Sequence, residues 1–269
     1  MVCARKANFL KQTFTYKNSF HLSYVDIGDK KGYSVLVQHG LIASIDDYDL
    51  FERLIEHGVR LICVARPGYG GSAPCLLDSY AEWANIISCL VQELHLAQFD
   101  ILGLSSGAPY GYSIGCKIQE KVGSLFILSG VPALYDEVVL SEWPYDPISD
   151  LSMPVLEELA HRLFFSNMSE EDLSRNDIRD SLMNQGFGVA QDLRLRFIDW
   201  GFRLSDVKGK VFMQHSKNDD SIPFRTAVRT AELLPNCHLE LLESGPHFSK
   251  ELLDEFIEKT MVPHMRSLK

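Results

Sequence analysis

Apolar positions along the chain follow two alternating rhythms. Short runs that are almost uniformly apolar, at 33–38, 59–65, 99–103 and 122–129, predict strands buried on both faces. Between them, 46–56, 80–94 and 106–120 carry apolar residues at helical period. Ahead of them, 14–16 and 20–27 predict a strand pair joined at the polar turn Lys17-Asn18-Ser19. Steady alternation of this kind predicts an α/β fold, a mostly parallel central sheet with helices on both faces.

The rhythm breaks after Gly130. From 131 to 205 no strand pattern is evident, and three stretches have helical period, at 154–165, 169–183 and 191–200. Ser169 opens the second with a hydroxyl cap and an acid, Asp172, three residues later. Alternation resumes with a strand at 211–215, a helix at 224–234, a strand at 238–243 and a final helix at 248–265. The expected organisation is one core domain, 1–130 and 206–269, interrupted by a helical cap insertion, 131–205. Trp143, Pro144, Tyr145, Leu159, Leu163, Phe164 and Phe165 make that insertion rich in large apolar side chains, suited to roofing an apolar pocket.

Composition narrows the partners. The 269 residues are 46% hydrophobic and 23% charged, enough for one sizeable core. A formal net charge of -10 argues against nucleic acid or an anionic membrane, since both need a basic face, and leaves a small-molecule substrate as the expected partner. No apolar run approaches the ~20 residues that span a bilayer. Residues 1–13 mix Arg5, Lys6, Asn8 and Lys11 with apolar positions, so a cytoplasmic location is expected. The six cysteines have no CxxC or metal-finger spacing and read as free thiols. With no HExxH, P-loop or EF-hand pattern, no cofactor and no metal are expected.

The candidate chemistry centres on Gly103-Leu104-Ser105-Ser106-Gly107, between an apolar strand and a small-residue helix. A turn that tight forces Ser105 into a strained backbone conformation, and glycines on either side remove side chains that would collide across it. A helix starting at Ser106 aims its first amides toward charge developing beside the hydroxyl. By chance GxSxG occurs in roughly one chain of this length in ten, so the surrounding pattern has to decide. In parallel sheets functional groups gather at the carboxyl ends of strands. Four such loops here hold His39-Gly40-Leu41, Ser105, Asn218-Asp219-Asp220 and Gly245-Pro246-His247, giving the chain order serine, acid, histidine.

Together with Arg66-Pro67-Gly68-Tyr69-Gly70-Gly71-Ser72 and Ile222-Pro223, these motifs resemble the α/β-hydrolase fold superfamily over nearly the whole chain except the insertion, which corresponds to that family's variable cap. The resemblance implies Ser105 as nucleophile, His247 as its general base and Asp219 as the acid that orients the imidazole. Asp220 is adjacent and Asp136, beyond the strand ending at Ser129, is a third candidate; the interval to Ile222-Pro223 favours Asp219. Backbone amides of Leu41 and Ser106 are expected to hold the oxyanion. His39 and the 66–72 loop read as structural support. The implied reaction is hydrolysis of a carboxylic ester of a small, largely apolar substrate through an acyl-enzyme. Amide or carbon-carbon hydrolysis on the same groups, or ligand binding without turnover, are the alternatives. Epoxide and haloalkane hydrolysis are disfavoured, because similar proteins with that chemistry carry aspartate at the place of Ser105.

Overall fold

Among the residues described by the computed structural model, 11–148 and 150–267, eight strands form one sheet. The chain runs through β1 (Gln12–Tyr16), β2 (Phe20–Gly28), β3 (Ser34–Gln38), α1 (Glu52–Glu56), β4 (Arg60–Val64), α2 (Tyr80–Glu93) and β5 (Phe99–Leu104). It continues through α3 (Ala108–Lys117), β6 (Val122–Leu128), α4 (Glu137–Ser141), α5 (Met153–Phe164), α6 (Glu170–Ser174) and α7 (Asn176–Leu195). The last part holds β7 (Lys210–Ser216), α8 (Phe224–Glu232), β8 (Cys237–Leu242), α9 (Lys250–Phe256) and α10 (Val262–Ser267). The reading of 1–13 and the Cys3 thiol fall wholly or mostly outside the described residues; the other five cysteines are free.

The sheet order is β1-β2-β4-β3-β5-β6-β7-β8, with β1 and β2 antiparallel and β3 to β8 parallel. Successive strand residues feed opposite layers. Leu36, Ile62, Ile101, Leu125 and Ile127 pack with α2 and α3. Val35, Val37, Leu61, Cys63, Leu102, Leu104, Phe126 and Leu128 pack with α1, α9 and α10. Both faces of β3, β4, β5 and β6 are therefore buried, which is why these strands read as continuous apolar runs, whereas β8, at the sheet edge, is only partly buried. β4 lies on one side of β3 and β5 on the other, so the loops leaving β3 and β5 diverge and open a crevice at the carboxyl ends of the strands.

Several boundaries differ from those expected. The 46–56 helix is a 3-10 turn, Tyr48–Phe51, followed by the short α1. The 106–120 helix begins as a 3-10 turn, Ser105–Gly107, and its α-helical part ends at Lys117. The 169–183 helix divides at Arg175, whose extended backbone (ψ 143) separates α6 from α7. Within α7, Met183 is extended and Asn184, Gln185 and Gly186 are left-handed, so the pattern at 191–200 belongs to the second half of a kinked helix that ends at Leu195. The kink lies on the 66–72 loop: Asn184 Nδ2 donates to Gly68 O at 3.1 Å and Gly70 N to Asp180 O at 2.8 Å. The final helix starts at Lys250 and includes a π-helical turn, Ile257–Met261. Among the described residues no helix is long and apolar enough to cross a membrane, and no group of three or more His, Cys, Asp or Glu side chains is arranged to hold a metal ion.

Candidate active site

Ser105 stands at the end of β5 with φ 48, a left-handed conformation that a non-glycine residue holds only where its surroundings impose it. The surroundings are tight. A Cβ on Gly107 would fall 2.0 Å from Gln38 O, so only glycine lets the start of the elbow helix approach the end of β3. On the far side Val131 N donates to Ser105 O at 2.9 Å. The hydroxyl is thereby aimed into the crevice.

His247 follows β8 and meets both partners there. Its Nε2 lies 2.8 Å from Ser105 Oγ and its Nδ1 2.8 Å from Asp219 Oδ2. The other oxygen, Asp219 Oδ1, accepts from Ser221 N at 2.8 Å and Ile222 N at 2.9 Å. Burial would push the Asp219 carboxyl up, but the bonds from His247 and from these two amides outweigh it and hold the group below the ordinary carboxylate value. An ionised carboxylate that accepts from Nδ1 leaves the Nε2 lone pair directed at the serine, the arrangement a general base requires. Asp220 is exposed and accepts from Ser221 Oγ, and Asp136 caps α4 by accepting from Val138 N and Val139 N. Of the three candidate acids, Asp219 is the one brought to the imidazole.

The two expected oxyanion residues flank Ser105. Gly40 packs against the elbow, at 3.9 Å from Ser105 Cβ to its ideal Cβ position, and Leu41 lines the same cavity as Ser105 and His247. Ser106 is buried at the first turn after Ser105, where backbone amides have no intrahelical partner. His39 supports this loop: its Nδ1 is 2.8 Å from Gly40 O and its Nε2 accepts from Arg66 N at 3.2 Å. Burial, reinforced by the Arg66 charge, holds its pKa well below the usual histidine value, so it stays neutral.

The cavity measures about 1340 Å³. Leu41, Ile42 and Leu50 wall it on one side, and Trp143, Tyr145, Leu159, Leu163, Phe164 and Phe197 come from the segment between β6 and β7. Phe165 instead packs into the core. Arg196, partly buried just past the end of α7, also reaches the cavity: it donates from Nη2 to Ser106 Oγ at 2.7 Å, while its buried Nε has no partner among the described residues.

Three residues that sequence reasoning gave no part in the site, Asp192, Arg196 and His215, converge here with Arg66 of the 66–72 loop, which had read as structural support. Arg66, fully buried, donates from Nη1 to His39 O at 2.6 Å and from Nη2 to Gly40 O at 2.8 Å, and forms a two-point ion pair with Asp192. Burial opposes its charge, but Asp192 and the neighbouring tyrosines outweigh that and raise its pKa above the ordinary arginine value. Losing one partner of such a pair typically costs about 3 to 5 kcal/mol. Arg196 holds Ser106, and His215 lies behind Asp219. The available signal for Asp192 and Arg196 is two charges one helical turn apart beside the apolar stripe Leu193, Phe197 and Trp200.

A family profile described as the alpha/beta hydrolase family matches residues 35–252. A 2-hydroxy-6-oxononadienedioate/2-hydroxy-6-oxononatrienedioate hydrolase of Pseudomonas putida is 24% identical over 252 residues, covering 86% of each chain. Among solved structures, an esterase from Exiguobacterium antarcticum superposes with a TM-score of 0.72 at 21% identity, covering 96% of this chain and 98% of that one. A 2-hydroxy-6-oxo-6-phenylhexa-2,4-dienoate hydrolase from Rhodococcus sp. strain RHA1 gives 0.64 at 15% identity, with the same coverage.

Proposed function

Because the chain belongs to the alpha/beta hydrolase family and is a hydrolase, we propose that it is a serine hydrolase that cleaves a carboxylic ester of a small, largely apolar substrate through an acyl-enzyme. The observation that carries this reading is the line from Ser105 Oγ through His247 to Asp219, 2.8 Å at each step, opening into an apolar-walled cavity. Ser105 Oγ attacks the carbonyl carbon as its proton passes to His247 Nε2. The tetrahedral oxyanion is held by the amides of Leu41 and Ser106, and Asp219 stabilises the imidazolium through Nδ1. Collapse breaks the bond to the leaving alkoxide, which takes the proton from His247. Water, deprotonated by His247, then attacks the acyl carbon, releasing the acid and returning the proton to Ser105.

A second reading has a specific observation behind it. Arg196 brings a guanidinium, whose buried Nε has no partner among the described residues, to a cavity walled mainly by apolar side chains but lined also by Asp46, Asp47, Asp49, Asp146, Asp177 and Asp220. That donor suits a substrate with an anionic or carbonyl oxygen, as in the 2-hydroxy-6-oxo acids that the relatives' names specify. Carbon-carbon hydrolysis next to such a 6-oxo group is the alternative to ester hydrolysis on the same groups.

Turnover of p-nitrophenyl esters from acetate to octanoate, with fluorophosphonate labelling, separates the readings when run on wild type and Ser105→Ala. Ester cleavage and labelling that both vanish in Ser105→Ala support the proposal. Labelling at Ser105 without ester cleavage moves the reading to carbon-carbon or amide bonds. A wild type that neither labels nor turns over sinks the serine-hydrolase mechanism.

A further inference from the structure

One turn of α7 reaches both backbone segments from which the oxyanion amides are expected. Asp192 acts on the first through Arg66, whose guanidinium bonds the carboxylate at two points while donating to the carbonyls of His39 and Gly40. Tyr69 Oη lies 2.9 Å from both Asp192 Oδ2 and Leu41 O, so the carboxylate is tied to all three residues of the loop after β3. Asp192 also accepts from Tyr110 Oη at 2.6 Å, and Tyr110 belongs to α3, the helix that begins at the elbow. Four residues on, Arg196 donates to Ser106 Oγ, the residue directly after the nucleophile. The guanidinium of Arg66 is further clamped between the rings of Tyr69 and Tyr110, 5.1 and 4.6 Å from their centroids.

We infer that Asp192 and Arg196 are positioning residues of the catalytic centre, which set the relative placement of the Leu41 and Ser106 amides from a helix outside the sheet. The inference rests on the serine-hydrolase reading above. Physically, each loop on its own is a short irregular segment, and the fit of two amides to one oxyanion depends on the gap between the loops. A buried carboxylate bonded at several points holds its donors in one geometry, and the i,i+4 spacing of Asp192 and Arg196 places both grips on one rigid stretch of helix. Leu193 and Arg196 both line the cavity, so substrate that presses on α7 from there acts directly on that gap.

The test is a comparison of wild type, Asp192→Asn, Tyr110→Phe, Arg196→Met and Arg196→Lys on a neutral ester, p-nitrophenyl butyrate. Active sites are counted by fluorophosphonate titration so that only folded enzyme enters kcat. The second readout is affinity for a trifluoromethyl ketone, whose carbonyl carbon adds Ser105 Oγ and whose oxygen becomes the oxyanion. Asp192→Asn and Arg196→Met are expected to lower kcat about ten- to a hundredfold with KM within about twofold, somewhat less than deletion of an oxyanion donor. Affinity for the ketone should fall by the same factor, and Arg196→Lys should recover part of it. Tyr110→Phe, which removes one bond to Asp192 with little change of shape, should show the same pattern more weakly and serves if Asp192→Asn does not fold. Variants that lose thermal stability yet keep wild-type kcat and ketone affinity per titrated site would overturn the inference while leaving the hydrolase reading intact. A wild type inactive and unlabelled would remove both.

Discussion

His215 stands behind Asp219: its Nε2 lies 3.3 Å from Asp219 Oδ2, the same oxygen that meets His247 at 2.8 Å. Nε2 is also 2.9 Å from Ile222 O, and Nδ1 is buried without a partner among the described residues. Burial lowers the His215 pKa below the usual value, so the ring is neutral and serves as a donor to the carboxylate and the carbonyl. His215→Phe removes that donor and should reduce the unfolding free energy by about 2 kcal/mol, measured by urea titration. His215→Gln, which keeps an N–H, should lose less.

Asp219 and Asp220 are neighbours with opposite fates, one with a fully buried side chain and the other in solvent. Asp219→Asn should lower kcat by about 10⁴-fold, because the amide favours the wrong imidazole tautomer. Asp220→Asn should stay within a few-fold of wild type by the same assay. Equal losses would move the acid to Asp220 or to a shared role.

The assignments that could be read from the chain were those where local pattern and location coincide. Ser105 and His247 each follow a strand and precede a helix, so the alternation of elements was enough to put both at the carboxyl edge of the sheet. Asp219 needed the resemblance to separate it from Asp220. Asp192 and Arg66 were beyond reach, since their pairing joins positions 126 residues apart through side-chain geometry, and helical period does not encode partners. The kink in α7 was hidden for a different reason. Two of its left-handed residues are Asn184 and Gln185, and only Gly186 carries the usual signal for that conformation.

Asp100 lies at the opposite end of β5 from Ser105, and its carboxyl is pushed up to about 6 by burial, against the hydrogen bonds from Ser124 N and Tyr33 Oη. A carboxyl raised in the folded state favours folding while it is protonated. That contribution is fully present below the unfolded value near 3.8 and is lost as pH rises through about 6. The loss amounts to about 3 kcal/mol. Asp100→Asn should therefore gain stability relative to wild type between pH 4 and pH 8, seen as a Tm difference that widens with pH. Its kcat should be unchanged.

The left-handed backbone at Ser105 makes a separate prediction about stability. Ser105→Ala and Ser105→Gly both lose the hydroxyl and both should be inactive. Glycine alone relieves the conformational strain, so Ser105→Gly should be the more stable by about 1 kcal/mol, read as the difference in urea midpoints. A glycine variant no more stable than alanine would mean that the elbow stores no strain at this residue.

The packing of α7 on the 66–72 loop also decides how much of the segment between β6 and β7 could be exchanged as a unit. A Cβ on Gly188 would fall 2.4 Å from the Tyr69 ring, and four residues later Asp192 takes hold of Arg66. Although the chain reaches them only after leaving the sheet, the residues from Gly188 to Arg196 serve the loops around Ser105 as closely as any strand end does. A chimera that replaced everything between β6 and β7 would strip those loops of these contacts along with the cavity walls that the segment supplies. One that rejoined the native chain at the kink, before Gly188, would change most of those walls and keep the contacts, so the natural seam for altering selectivity runs through the middle of a helix.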